Sequence, residues 1–216
     1  MPVRGESFRD RADAGRQLAV RLGHLRSRDV VVLGLPRGGV PVAAEVARVL
    51  GAPLDVVVVR KLGVPRQPEL AMGAVGEGGV VVREDDVLRA AAVPPAVFAR
   101  VEQRELAELA RRLGHLRAVR PAVPLAGRTT VVVDDGIATG STARAACAVV
   151  RAQGAARVVL AAPVVSVDAA ATLRAQVDEL VYVLAPERFG AVGRHYADFG
   201  QTRDDEVVDL LRGQPV

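Results

Sequence analysis

The chain has 216 residues, half of them hydrophobic, a single cysteine, and a formal charge of +4 from 29 basic and 25 acidic side chains. That is enough apolar material for one large core and too little cysteine for an internal disulfide, with no apolar run near the roughly 20 residues that cross a bilayer. The arginines are interleaved with acids and only six residues are aromatic, so the basic excess does not read as a nucleic-acid surface.

In chain order, the first 22 residues are charged throughout and lack the apolar stretch of a secretory signal, so a cytoplasmic protein with no membrane association is expected. Valine-rich runs then alternate with longer amphipathic segments, the pattern of a parallel sheet covered by helices. Strands are predicted at Val30–Leu35, Leu54–Val59, Arg128–Asp134, Arg157–Ala161 and Leu180–Leu184. Helices are predicted at Val40–Leu50, Ser141–Gln153 and Val167–Gln176, with Gly51 and Gly154 where C-caps belong.

Two regions break this rhythm. RKLGVPRQPELAMGA, from Arg60, is rich in Gly and Pro and reads as a loop, followed by a hairpin around Glu77–Gly79. Residues 83–120 then read as a helical insertion, with Val97, Val101, Leu106, Leu109, Leu113 and Leu116 near helical spacing. The expected organisation is one domain over residues 1–216: a core at about 28–186, that insertion, and a C-terminal hood or tail from about 186 to 216. His24, His115 and His195 are isolated in sequence, and no His/Cys cluster suggests a protein-held metal.

The stretch TVVVDDGIATGST carries the chemistry. Asp134 and Asp135 end a buried-type strand, where two adjacent carboxylates are unfavourable unless something outside satisfies them. Gly136 and Gly140 permit a tight turn. Thr139, Ser141 and Thr142 add hydroxyls, and the following helix points its free N–H groups at the loop. That is a cradle for phosphate beside acceptors for neutral hydroxyls, and a ribose 5-phosphate has both halves. Acids holding a metal, as in response regulators, normally come near the N-terminus. A Walker-type loop is excluded because no Gly-Lys-Ser/Thr is present.

This stretch resembles the signature of type I phosphoribosyltransferases: an apolar strand, two acids, two variable residues, then a small residue followed by Thr-Gly-x-Ser/Thr. The resemblance implies an α/β fold with a Rossmann-like parallel sheet, a small hood, and binding of phosphoribosyl pyrophosphate. Asp134 and Asp135 would take the ribose hydroxyls. Gly136, Ala138, Thr139, Gly140, Ser141 and Thr142 would lie along the sugar phosphate. LPRGGVPVA is similar to the family's pyrophosphate loop, which often contains a non-proline cis peptide; Arg37, Gly38 and Gly39 would serve there. Arg60-Lys61 is similar to the opening of a mobile loop that brings cations to the leaving pyrophosphate, and Lys61 is the sole lysine among the 29 basic residues.

Ala138 stands where hypoxanthine-guanine enzymes carry an Asp. Adenine enzymes also have Ala there and use a loop Glu, for which Glu69 is the local candidate. Phe189, Tyr196 and Phe199 would form the hood over a flat base, with Phe189 against it, or else merely anchor the tail. Implied with these are Mg²⁺ held mainly through the donor, small-molecule substrates, and a homodimer. The expected activity is transfer of phosphoribosyl to a nitrogenous base. The alternative is a regulatory protein that binds the donor without turnover; a phosphoribosyl pyrophosphate synthetase would need a longer, duplicated chain.

Overall fold

A computed structural model describes residues 7–213. Residues 1–6, and residues 214–216 of the expected tail, lie outside the described part.

Five strands form a wholly parallel sheet: β1 (Val30–Gly34), β2 (Leu54–Val56), β6 (Thr129–Val133), β7 (Arg157–Val164) and β8 (Glu179–Leu184), in the order β2-β1-β6-β7-β8. The β-branched runs suit strands buried on both faces, and every residue of β1 is buried. Alternate side chains enter separate layers. Val30, Val32, Val131 and Val133 pack with α1 (Arg11–Arg21) and α2 (Gly39–Leu50), whereas Val31, Leu33 and Val132 pack with α5 (Ser141–Ala152) and α6 (Val167–Leu173). Gly51 closes α2 in the left-handed region (φ 67°), the conformation only glycine adopts without strain.

The strand order reverses between β1 and β6. On one side the chain runs outward to β2, on the other through β7 to β8. Loops leaving the carboxyl ends of β1 and β6 therefore diverge and leave a crevice, the usual ligand position in open α/β sheets.

The predicted second strand is a correction. It ends at Val56, and the chain re-enters a different, antiparallel sheet of β3 (Val59–Val64), β4 (Gln67–Gly76) and β5 (Val80–Arg83). The stretch read as a loop is thus a β-hairpin, Lys61 facing Ala74 and Leu62 facing Gly73. Its strand character was masked by Gly63, Pro65 and Pro68. Leu62 and Met72, both fully buried, give it an apolar face that packs on the helices. Gly63 and Gly73 are required by close approach: a Cβ would lie 2.6 Å from the Pro68 carbonyl oxygen and 2.4 Å from that of Val82.

The helical region 83–120 resolves into α3 (Asp85–Ala90) and α4 (Pro95–Val119), α4 packing on β3 and β4. Its buried face is Phe98, Val101, Glu105, Leu109 and Leu113, so Phe98 replaces the expected Val97 and a carboxylate sits within the stripe. A last helix, α7 (Asp204–Arg212), covers α2. Among the described residues no helix is long and apolar enough to cross a membrane.

Candidate functional site

β6 ends at Val133, so Asp134 and Asp135 emerge into the crevice at the switch point. Both are partly buried. The Asp135 N–H donates to Asp134 Oδ1 at 2.9 Å. Asp135 Oδ2 accepts from Arg11, from Nε at 2.9 Å and Nη2 at 2.8 Å. No other side-chain hydrogen bond reaches the pair among the described residues, so Asp134 Oδ2 and Asp135 Oδ1 are uncommitted. Burial, and then the charge of Asp135, push the Asp134 carboxyl up to about 7. Asp135 is also raised by burial, with the Arg11 guanidinium opposing the shift. These are two carboxylates with one unengaged oxygen each, held where ionisation is unfavourable until a partner arrives.

The loop beyond is anchored from behind. The Ile137 N–H donates to the Val164 carbonyl at 2.9 Å, and Ser166 Oγ donates to the Ala138 carbonyl at 2.6 Å. Gly140 turns with φ 77° into α5, whose first backbone bond into the loop is Arg144 N–H to the Gly140 carbonyl. The N–H groups of Thr139, Gly140, Ser141 and Thr142 find no acceptor among the described residues. With the helix dipole behind them, they form a row of donors suited to an anion. Gly136 is needed for packing, since a Cβ there would come 2.4 Å from Val192 Cγ1.

The second loop leaves β1 through a cis Pro36–Arg37 peptide, as the resemblance implied. Its donors differ from expectation. The Gly39 N–H is engaged by the Leu35 carbonyl at 3.0 Å, which leaves the Arg37 and Gly38 N–H groups unpaired among the described residues. Gly39 is instead required by proximity to the acid strand: a Cβ would sit 2.5 Å from the Val133 carbonyl oxygen. A Cβ on Gly38 would strike Asp135 Oδ2 at 1.9 Å. The Arg37 side chain is exposed, with Asp204 3.9 Å away.

The hairpin residues divide. Lys61 Nζ lies 3.2 Å from Ser141 Oγ, at the first residue of α5 and so beside the row of free N–H groups. Arg60, one residue earlier and so on the other face of β3, binds Glu105 of α4 through Nε at 2.8 Å and Nη2 at 2.6 Å. It is occupied by a protein carboxylate in this arrangement. Glu69 is exposed on β4 near the hairpin turn. Phe189 and Tyr196 are buried, at 9% and 6% exposure, so they hold the tail and offer little face to a ligand. Phe199 is the exposed aromatic of the three. His195 is buried with Nε2 3.0 Å from the Phe189 carbonyl, and His24 pairs with Glu179.

Three contacts escaped sequence reasoning. Arg11 is one of 28 arginines and nothing local marks it. Ser166 is marked only as the cap of α6, where it accepts from the Ala169 N–H. Tyr196 Oη donates to the Asp135 carbonyl at 2.5 Å. A separate 370 Å³ cavity lies toward the other end of α5, lined by Asp55, Glu77, Arg117 and Gln153. Its charges satisfy one another: Arg117 bridges Asp55 and Glu77 at 2.8 and 2.6 Å. It serves as a structural tie.

A family model described as a phosphoribosyl transferase domain matches residues 9–193. The crystal structure of TT1426 from Thermus thermophilus is 47% identical with a TM-score of 0.91, and the alignment covers 96% of this chain and 99% of that one. A protein of Mycobacterium tuberculosis strain H37Rv carried under the name "Putative phosphoribosyl transferase Rv0571c" is 58% identical over 204 residues, 94% of this chain and 46% of that protein. Its counterpart in strain CDC 1551 gives the same figures. The chain thus spans about half the length of the curated relatives it matches. The AQ2163 protein of Aquifex aeolicus, at 11% identity and a TM-score of 0.51 over 94% of this chain and 86% of that one, shares the fold alone.

Proposed function

Because the chain belongs to the phosphoribosyl transferase domain family, we propose that it transfers the 5-phosphoribosyl group of phosphoribosyl pyrophosphate to a nitrogenous base, releasing pyrophosphate. The observation that carries this reading is the pairing of two carboxylate oxygens with a row of four N–H groups, all without partners among the described residues, across the switch point of the sheet.

Asp134 and Asp135 accept from the vicinal ribose hydroxyls, and charge-assisted O–H···O⁻ bonds favour their ionised forms. The N–H groups of residues 139–142, the Ser141 and Thr142 hydroxyls and Lys61 hold the 5-phosphate. The Arg37 side chain and the Arg37 and Gly38 N–H groups face the pyrophosphate. A ring nitrogen of the base forms its bond to the anomeric carbon as the bond to pyrophosphate oxygen breaks, the electron pair leaving with pyrophosphate and any proton on that nitrogen passing to water. Positive charge that develops on the sugar is offset by the adjacent carboxylates.

The phosphate-rich donor suits a hard divalent cation. No cluster of three or more His, Cys, Asp or Glu side chains occurs among the described residues, so Mg²⁺ would be held mainly through phosphoribosyl pyrophosphate and water. When bound, it supplies charge that neutralises the departing pyrophosphate.

The test is thermal melting with and without phosphoribosyl pyrophosphate and Mg²⁺. The wild type is expected to melt higher with both, and the double variant Asp134→Asn, Asp135→Asn to show no shift. An unshifted wild type overturns the reading. A shift without pyrophosphate release across a panel of bases would instead favour a donor-binding regulator.

A further inference from the structure

Resting on that reading, we propose that Arg11 is a positioning residue for the sugar-hydroxyl site, aiming one oxygen of Asp135 into the crevice and tying that carboxylate to the C-terminal segment. The geometry is specific. Both Arg11 contacts fall on Asp135 Oδ2, at 2.9 and 2.8 Å, so the guanidinium fixes the carboxylate rotamer while Oδ1 stays open. Gly38 backs the same oxygen so closely that no Cβ would fit. The remaining guanidinium nitrogen, Nη1, donates to the Gly200 carbonyl at 2.6 Å, and the plane lies over the Phe199 ring, 4.0 Å from its centroid. Arginine alone offers such a fork together with a stacking face; lysine has the charge without the planar geometry. Arg11 itself is aimed by α1, whose first turn is capped by Asp10 accepting from the Asp13 N–H at 2.7 Å.

The arrangement gathers three separate parts of the chain around Arg11 and the oxygen it holds: the first turn of α1, the loop after β1, and residues 199–200. Charged or titratable groups facing Asp135 are Arg11 from α1, Asp134 from its own loop, and Tyr196, whose hydroxyl binds the Asp135 main-chain carbonyl. Arg11 is the only cation among them. It opposes the rise that burial imposes on Asp135, and so favours the form that accepts from a hydroxyl.

The test compares wild type, Arg11→Met, Arg11→Lys and Phe199→Ala by two readouts. One is the ¹³C carboxyl titration of Asp135 in the protein without donor; the other is the pH dependence of phosphoribosyl pyrophosphate–Mg²⁺ affinity. Arg11→Met is expected to move the Asp135 midpoint up and to weaken donor affinity about tenfold or more at neutral pH, recovering as pH rises. Arg11→Lys should restore the midpoint without restoring full affinity. Phe199→Ala, which leaves Arg11 in place, should shift both slightly in the same direction and keeps the question open to measurement if Arg11→Met does not fold. An Asp135 midpoint and a donor pH profile unchanged in Arg11→Met and Phe199→Ala overturn the proposal. A moved midpoint in a protein whose wild type binds no donor overturns the parent reading alone.

Discussion

Asp134 has an ordinary value of 3.8 and is pushed to about 7, by burial first and the neighbouring Asp135 charge second. Between those values the folded protein keeps a proton that the unfolded chain has released. Stability from this group is full below about pH 4 and is lost as pH rises through about 7. Asp134→Asn removes the charge, so at pH 8 the empty variant should melt above the wild type, by on the order of 5 °C, with little difference at pH 4. Scanning calorimetry across pH checks this, and identical melting at both pH values would contradict it. Here a candidate binding group is held at a cost to the empty fold, and a ligand that satisfies it should recover that stability.

Lys61 belongs to the same scale. The resemblance implied a cation for the leaving pyrophosphate, but its ammonium lies 3.2 Å from Ser141 Oγ, beside the candidate 5-phosphate cradle. Lys61→Ala should therefore weaken donor binding, by about tenfold or more for one charge-assisted contact. Calorimetric titration measures it. Wild-type affinity with collapsed turnover would return the lysine to the leaving group.

At the scale of elements, the β3–β4 hairpin meets α4 through apolar packing and through a buried carboxylate. Glu105 is 6% exposed and takes Arg60 through two hydrogen bonds and Arg104 through another at 3.0 Å. Those arginines hold its carboxyl below the usual range despite burial, which acts the other way. A paired buried charge is satisfied as a unit, and removing one member leaves the others stranded. Glu105→Ala should cost about 1–3 kcal/mol and speed amide exchange in Val59–Val64 more than in β1. Uniform exchange across both sheets would mean the contact does not act on the hairpin. The sequence hid this clasp because a glutamate on an arginine-rich helix reads as a solvated face; only the packing of α4 on β3 turns it inward.

For the whole molecule, the N-terminal segment at Phe8–Arg9 and residues 195–198 are tied to each other beside the acid loop. The Phe8 N–H donates to the His195 carbonyl and the Ala197 and Asp198 N–H groups return to Phe8 and Arg9, all at 2.8 Å. The Phe8 and Tyr196 rings meet at a tilt of 47° with centroids 5.4 Å apart, and Tyr196 Oη reaches the Asp135 carbonyl. Phe8→Ala should cost about 3 kcal/mol or more as a buried aromatic. It should expose 195–200 to limited proteolysis and lose donor-induced melting stabilisation. Protease resistance equal to wild type would show that the tail stands without the N-terminal segment. In sequence these residues are peripheral, since no local pattern connects Phe8 with Tyr196 across nearly the whole chain.

The amino-acid order alone determined the parallel sheet, because β-branched runs bounded by glycine caps are local signals. It also determined the acids and the glycine–hydroxyl turn, because loop chemistry is written in consecutive residues. Tertiary structure decided what lies across from them: Arg11 on Asp135, Lys61 over Ser141, Arg60 on Glu105, and the Gly39 N–H engaged by Leu35. Such contacts join residues up to 124 positions apart. Among 28 near-identical arginines, only the folded packing distinguishes those that meet a buried or half-buried acid from those that meet water.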